Sequence, residues 1–177
     1  MKREQENKLR RLATENVGAL SSYLQRRMHP LSTSDLDDIV EETLIVIWRR
    51  IDDVPVDAER AWMIGVARNV LRNAKRSWYR RRAMEKTLSP SALSPSAEDI
   101  VLADEAVTIA LASLSAVDRE VLLLKVWDGC SNAEIAAIVM MPETSVAVRV
   151  SRAQAHFREA FQPLDPVAKF EERSGQK

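Results

Sequence analysis

Three groups of side chains in this sequence have types and spacings suited to recognition chemistry. Ser145, Arg149, Arg152 and His156 recur at intervals that place them on one face of a helix, while Val146, Val150, Ala153 and Phe157 share another. Such a helix packs by one stripe and offers cations and a hydroxyl to phosphates and base edges by the other. Trp62, Asn69, Asn73, Arg76 and Arg80 fall on one strip of a longer helical stretch. They combine a π face to stack on, amides that read an edge and guanidinium groups for a backbone, the parts needed to hold an unstacked base. Asp38, Glu41, Glu42 and Arg49 surround Ile45 on a further helical face, an apolar side chain inside an acidic patch that suits docking of a cationic partner. The bland alternatives are a solvated basic face, a core tryptophan and a solvated acidic face with one stray isoleucine. Spacing alone leaves them open.

Other chemistry finds no footing. The sequence has no phosphate-cradling glycine loop, no Gly-x-Ser-x-Gly elbow and no His-Glu-x-x-His motif, so catalysis is not expected. One cysteine, Cys130, and two histidines, His29 and His156, cannot assemble a zinc site, and the acids from Asp35 to Glu42 lack the glycine turn of a calcium loop. No metal or cofactor is therefore expected. A single cysteine excludes an internal disulfide and fits a reducing cytoplasm. The opening Met1-Lys2-Arg3-Glu4-Gln5-Glu6 lacks the apolar centre of a signal peptide and no later run is long enough to cross a bilayer, so a cytoplasmic protein without membrane insertion is expected.

The elements that position these groups are helices. Hydrophobic residues make up 46% and charged residues 29% of 177 residues with only 4 glycines, and no strand-like alternation stands out. The pattern predicts an all-α fold of two small helical domains joined by a flexible linker, the C-terminal one a helix-turn-helix. Net charge is zero, yet it is segregated: Asp35 to Arg60 is acidic and Arg68 to Lys86 strongly basic, which points to one cationic and one polyanionic partner.

The first domain, 8–84, holds three helices. Leu20, Tyr23 and Leu24 line the first, which Met28-His29-Pro30 ends; the second opens at Ser34-Asp35, whose side chains suit capping, and buries Leu36, Ile39, Val40, Thr43, Leu44 and Ile47. A third, from about Arg60 to Arg81, faces the core with Met63, Val66, Ala67, Val70, Ala74 and Trp78. Two Ser-Pro steps mark a linker at 85–97. The second domain, 98–163, has helices from about Glu98 to Leu114 and Ser115 to Trp127. After Asp128-Gly129, Ser131 and Glu134 form a capping box ahead of Ile135, Ala136, Ile138 and Val139, and Pro142 breaks that helix and opens the next. Residues 164–177 read as a frayed tail.

With both units laid out, the chain resembles the extracytoplasmic-function sigma factors from about Leu20 to Phe161. Asp37-Asp38-Ile39-Val40-Glu41-Glu42-Thr43 is similar to the family's region 2.2, which docks on the clamp helices of the largest RNA polymerase subunit; Asp38, Glu41 and Glu42 match contact positions, with Glu41 where glutamine is usual. Arg60-Ala61-Trp62 through Asn69 resembles regions 2.3 and 2.4, which melt the minus-ten element and hold an extruded base, Asn69 and Asn73 occupying the matching positions. Glu134-Ile135-Ala136, Met141-Pro142-Glu143, Ser145-Val146, Arg149 and Arg152-Ala153 resemble region 4.2, which reads the minus-thirty-five element in the major groove. Ala147 and Val148 stand where that family often has a polar reader, which shifts base reading toward Arg149, Ser151 and Arg152 and offers Val148 to a thymine methyl.

The resemblance implies an alternative sigma factor that is no enzyme by itself. Its partners are core RNA polymerase and promoter DNA, both as duplex and as melted nontemplate strand. The linker permits, without showing, a clamp of the two domains by an anti-sigma factor. The rival readings are a helix-turn-helix regulator that never replaces a polymerase subunit and a helical adaptor that binds only protein.

Overall fold

The computed structural model describes residues 2–85 and 105–162, and the linker expected at 85–97, apart from Glu85, the first turns of a helix starting at Glu98 and the tail lie outside them. The described residues hold seven α-helices and no strand: α1 (Lys2–Gln25), α2 (Asp35–Arg49), α3 (Glu59–Glu85), α4 (Glu105–Ala112), α5 (Ala116–Val126), α6 (Asn132–Val139) and α7 (Glu143–Phe161), with a short 3₁₀ turn at Ile51–Asp53. The all-α expectation holds.

Helices α1, α2 and α3 pack on one another because each carries an apolar stripe at helical spacing. Leu12, Leu20, Tyr23 and Leu24 meet Ile39, Thr43 and Ile47, and both meet Met63, Ile64, Ala67, Val70 and Leu71. The buried Thr43 hydroxyl donates to the Ile39 carbonyl at 2.7 Å, which satisfies it inside its own helix. Helix α1 begins earlier than the apolar pattern indicates. Its first turns are polar, but Lys8 donates to the Ile51 carbonyl, Gln5 to Asp52, and Arg11 grips Glu59 with two nitrogens at 2.9 and 2.7 Å.

Two local expectations are corrected. The start of α2 is not capped by Ser34 or Asp35; the Asp35 carboxylate instead accepts from the amide and hydroxyl of Ser32, and the Ser34 and Ser32 hydroxyls lie 2.6 Å apart. Trp78 is only half-buried and stands outside the core. Trp78 is covered instead by the Arg82 guanidinium at 5.1 Å and meets the Tyr79 ring edge-on.

In the carboxy-terminal half, Leu111 and Leu114 pack with Leu122, Leu123 and Ala153. The buried Arg119 guanidinium donates to the carbonyls of Leu111, Ala112 and Leu114, occupying acceptors that the end of α4 leaves open. The capping box at α6 is present in full: the Glu134 amide donates to the Ser131 hydroxyl at 3.1 Å and the Ser131 amide to the Glu134 carboxylate at 2.7 Å. Met140 closes α6 in the left-handed conformation at φ 61°, and Pro142 then starts α7. Ser131→Ala is expected to cost about 1 kcal/mol of unfolding free energy, read by urea titration, with no change in helix content.

The two halves touch. Val121, Leu124, Cys130, Ile135, Ile138, Val146 and Val150 belong to the same buried cluster as the α1–α3 core, and α6 packs directly against α3. Polar groups cross the contact as well. Arg27 donates through Nε to Glu120 at 2.9 Å and through Nη2 to Asp128 at 2.8 Å, Tyr23 donates to Glu120 at 3.0 Å, and Arg26 pairs with Asp128. Burial alone raises the pKa of Glu120, but the charge of Arg27 outweighs it and holds the carboxylate below its ordinary range. A depressed folded value means that its contribution is complete above the unfolded value near about 4.3 and disappears as pH falls through the folded one. The melting temperature is therefore expected to be insensitive to this group between pH 8 and 5.5 and to drop below about pH 4, followed by calorimetry across that range.

Candidate protein and nucleic-acid interfaces

Helix α2 presents its acids to solvent because its apolar stripe takes the opposite side. Asp38, Glu41 and Glu42 are all exposed and form no ion pair among the described residues, while neighbouring acids do: Asp53 pairs with Arg50 and Glu59 with Arg11. Ile45 lies among the free acids with 42% of its surface exposed. The face thus offers one apolar contact ringed by unspent negative charge, which suits a cationic helix more than a purely solvated role.

On α3, Asn69, Asn73, Arg76 and Arg80 are exposed on one line, about 16 Å long from Asn69 to Arg80 at the helical rise. Neither asparagine has a hydrogen-bond partner among the described residues, so four amide donors and acceptors face solvent. Trp62, at the start of the strip, is half-buried, packs on the core and has the Arg50 guanidinium 5.3 Å above its ring. The structure therefore brings four of the five strip residues together in the open and sets the tryptophan into the wall behind them. Arg50 was not legible as a neighbour of Trp62, because no local spacing links a helix end to a position twelve residues on.

The exposed face of α7 carries Ser145, Val148, Ser151, Arg152 and His156, with Val148 57% exposed. Opposite them Val146, Val150 and Ala153 are buried, so the helix is held by one side and offers the other. Arg149 differs from the rest. It is half-buried at the edge of the packed stripe and donates to Asp118 at 2.7 Å, across to the start of α5. Burial works against ionisation of Asp118, yet hydrogen bonds from Ser115 and Arg149 hold its pKa below the ordinary carboxylate range. One guanidinium of α7 is thereby hydrogen-bonded to an acid of α5, whereas the exposed Arg152, beside Val148 and Ser151, acts on the same Asp118 through its charge.

Burial pushes the Cys130 thiol up to about 11, so at neutral pH it is protonated and unreactive. No cluster of three or more potential metal ligands occurs among the described residues, and no described helix is long and apolar enough to cross a membrane.

Comparison with known proteins places both halves. Residues 12–82 match sigma-70 region 2 and residues 104–157 match sigma-70 region 4. The chain is 29% identical over 161 residues to the ECF RNA polymerase sigma factor SigL of Mycobacterium tuberculosis, an overlap of 88% of this chain and 90% of SigL. It is 30% identical over 131 residues to the RNA polymerase sigma factor NccH of Alcaligenes xylosoxydans xylosoxydans, covering 69% of this chain and 70% of NccH. Its fold is similar to that of the sigma factor RpoE, solved in complex with the anti-sigma factor NepR from Bartonella quintana. The TM-score is 0.57 at 24% identity, over 91% of this chain and 96% of that one.

Proposed function

The chain belongs to the extracytoplasmic-function sigma factors of the sigma-70 family, and from that premise we propose a division of labour among its three exposed faces. It is an alternative RNA polymerase sigma factor. Its first domain, 8–84, binds core polymerase through Asp38, Glu41, Glu42 and Ile45 of α2, whose unpaired acids are the observation that carries this reading. The same domain holds the melted nontemplate strand of the minus-ten element along Asn69, Asn73, Arg76 and Arg80, with Trp62 as the wall of the base site. The second domain, 98–163, reads the minus-thirty-five element in the major groove through Ser145, Val148, Ser151, Arg152 and His156, while Arg149, tied to Asp118, braces the reading helix.

The step is binding and strand separation, not bond chemistry. Extruding a base costs a few kcal/mol, and a preformed site for it offsets that cost where the duplex unpairs most readily. The protein is thus no enzyme by itself and works in the cytoplasm, where core polymerase is. An anti-sigma factor is its regulatory partner, as for RpoE, whose structure includes one.

Run-off transcription from genomic fragments, with purified core enzyme and this chain, tests the reading. Discrete promoter-specific transcripts are expected, and their absence from every fragment would refute it. Arg152→Ala in the same assay is expected to lose roughly 1 to 3 kcal/mol of promoter affinity for the cognate sequence. An equal loss on all sequences would reassign Arg152 from a base edge to phosphate.

A further inference from the structure

Resting on the strand-holding role given to α3 above, we propose that Arg50, just beyond α2, is a further residue of the base site: the extruded base stacks on its guanidinium, which Trp62 backs and Asp53 holds from the side.

The backbone of Arg50 is fixed in both directions. Its amide donates to the carbonyls of Val46 and Ile47 at 3.2 and 3.1 Å, closing α2, and its carbonyl accepts from the Asp53 amide at 2.9 Å across the 3₁₀ turn. Ile51, the next residue, is 3% exposed and anchors that turn in the core. The side chain therefore leaves from a stationary point. Its Nε donates to the Asp53 carboxylate at 2.9 Å, and its guanidinium carbon stands 5.3 Å from the centre of the Trp62 ring. Trp62 packs against the core and donates its backbone amide to the Ala58 carbonyl at 2.9 Å. Ring and cation are thus presented by two elements, the start of α3 and the end of α2.

A base that approaches this side of Trp62 meets the guanidinium before the indole. Stacked bases lie about 3.4 Å apart, so a base inserted between ring and cation would need about twice that spacing, more than the two leave. The outward side of the cation is open. The Arg50 side chain is 54% exposed, and its two terminal nitrogens have no hydrogen-bond partner among the described residues. A guanidinium is planar and weakly hydrated, stacks on aromatic rings, and offers an unpaired base a platform that does not depend on which base it is.

The same cation answers a problem of charge. Asp52, Asp53, Asp57 and Glu59 crowd the approach to α3, where a DNA strand has to pass, and acids there repel its phosphates. Arg11 offsets Glu59 and Arg50 offsets Asp53, and of these two cations Arg50 is the one that also faces the ring. Its removal costs the fold little, because an ion pair between two exposed side chains three residues apart contributes little to stability. The effect on DNA is therefore separable from the effect on folding.

Holoenzyme reconstituted from core polymerase and the full chain is titrated with forked DNA from a promoter found by run-off transcription, either intact or made abasic in turn at each nontemplate position of the minus-ten element. Wild type is expected to lose affinity at the position of the extruded base. Arg50→Ala is expected to bind intact DNA about tenfold more weakly, yet to match wild type on the DNA abasic at that position, since either change removes the same stack. Arg50→Lys keeps the charge without the plane and is expected to recover less than about threefold of that loss. Exchanging the base at the position should leave the effect of Arg50→Ala unchanged. Both variants are expected to melt within about 2 °C of wild type. A tenfold loss that persists on the abasic DNA, or full recovery by lysine, would reduce Arg50 to a phosphate contact and overturn the stack. Wild-type affinity of Arg50→Ala for intact DNA would remove the residue from the site while leaving α3 its role, provided wild type still senses the abasic position. Should wild type sense an abasic position nowhere in the element, the strand-holding role of α3 would fall and the stack with it.

Discussion

Asp38→Arg/Glu42→Arg is expected to weaken binding to core RNA polymerase about 100-fold while leaving the protein folded. The asymmetry follows from where the two acids stand. Both are exposed on α2 and neither has an ion-pair partner among the described residues, so reversing them breaks nothing inside the molecule. The structural cost is small: a cation at Asp38 in the first turn of α2 opposes the helix dipole by about 0.3 to 1 kcal/mol, a fall of about 1 to 4 °C in melting temperature. At a docked interface the same reversal sets two cations against a cationic partner, and like charges in contact cost several kcal/mol. Fluorescence anisotropy of labelled protein titrated with core polymerase measures the affinity. Wild-type binding by the folded variant would remove α2 as the docking face.

What the sequence disclosed of this fold is what depends on neighbours a few residues away. The capping box of Ser131 and Glu134, the break at Pro142, and the stripes Ile39, Thr43, Ile47 and Val146, Val150, Ala153 are all local patterns, and each stands in the structure as read. The failures are of more than one kind, a local competitor among them. Ser34 and Asp35 looked like caps, but Ser32, two and three residues back, captured both side chains. Trp78 keeps the period of the core face, yet it is half-buried and stands apart from the core, covered by Arg82 of its own helix. The early start of α1 depends on Ile51, Asp52 and Glu59, more than forty residues away.

The candidate faces divide along the same line. Their exposure was legible because a helix with one apolar stripe must show its other side, and Asn69, Asn73, Arg152 and His156 lie where that rule puts them. The commitment of Arg149 to Asp118, thirty-one residues apart, was not legible, nor was the pairing of Arg27 with Glu120 at a separation of ninety-three. Of the basic segment from Arg68 to Lys86, Arg68 also lies 3.9 Å from Glu120 of the second half, a contact that the charge pattern does not announce.

Asn69→Ala/Asn73→Ala is expected to separate stability from strand melting by moving them in opposite directions. Both positions lie on the solvent side of α3 with no hydrogen bond to the rest of the described protein, and alanine is the better helix former. The double variant should therefore unfold at the same temperature as wild type or slightly above it. Open-complex formation is expected to fall about 100-fold, because a flipped base would lose the amides that read its edge and the cost of extrusion, a few kcal/mol, would go largely uncompensated. Binding to closed duplex should change little, since Arg76 and Arg80 still supply the charge that phosphates feel. Permanganate reactivity of promoter thymines, measured with core polymerase on the same DNA, reports melting directly. Reactivity at the wild-type level would show that these amides do not hold a base, whereas loss of reactivity with duplex affinity retained would place the melting function on this strip of α3.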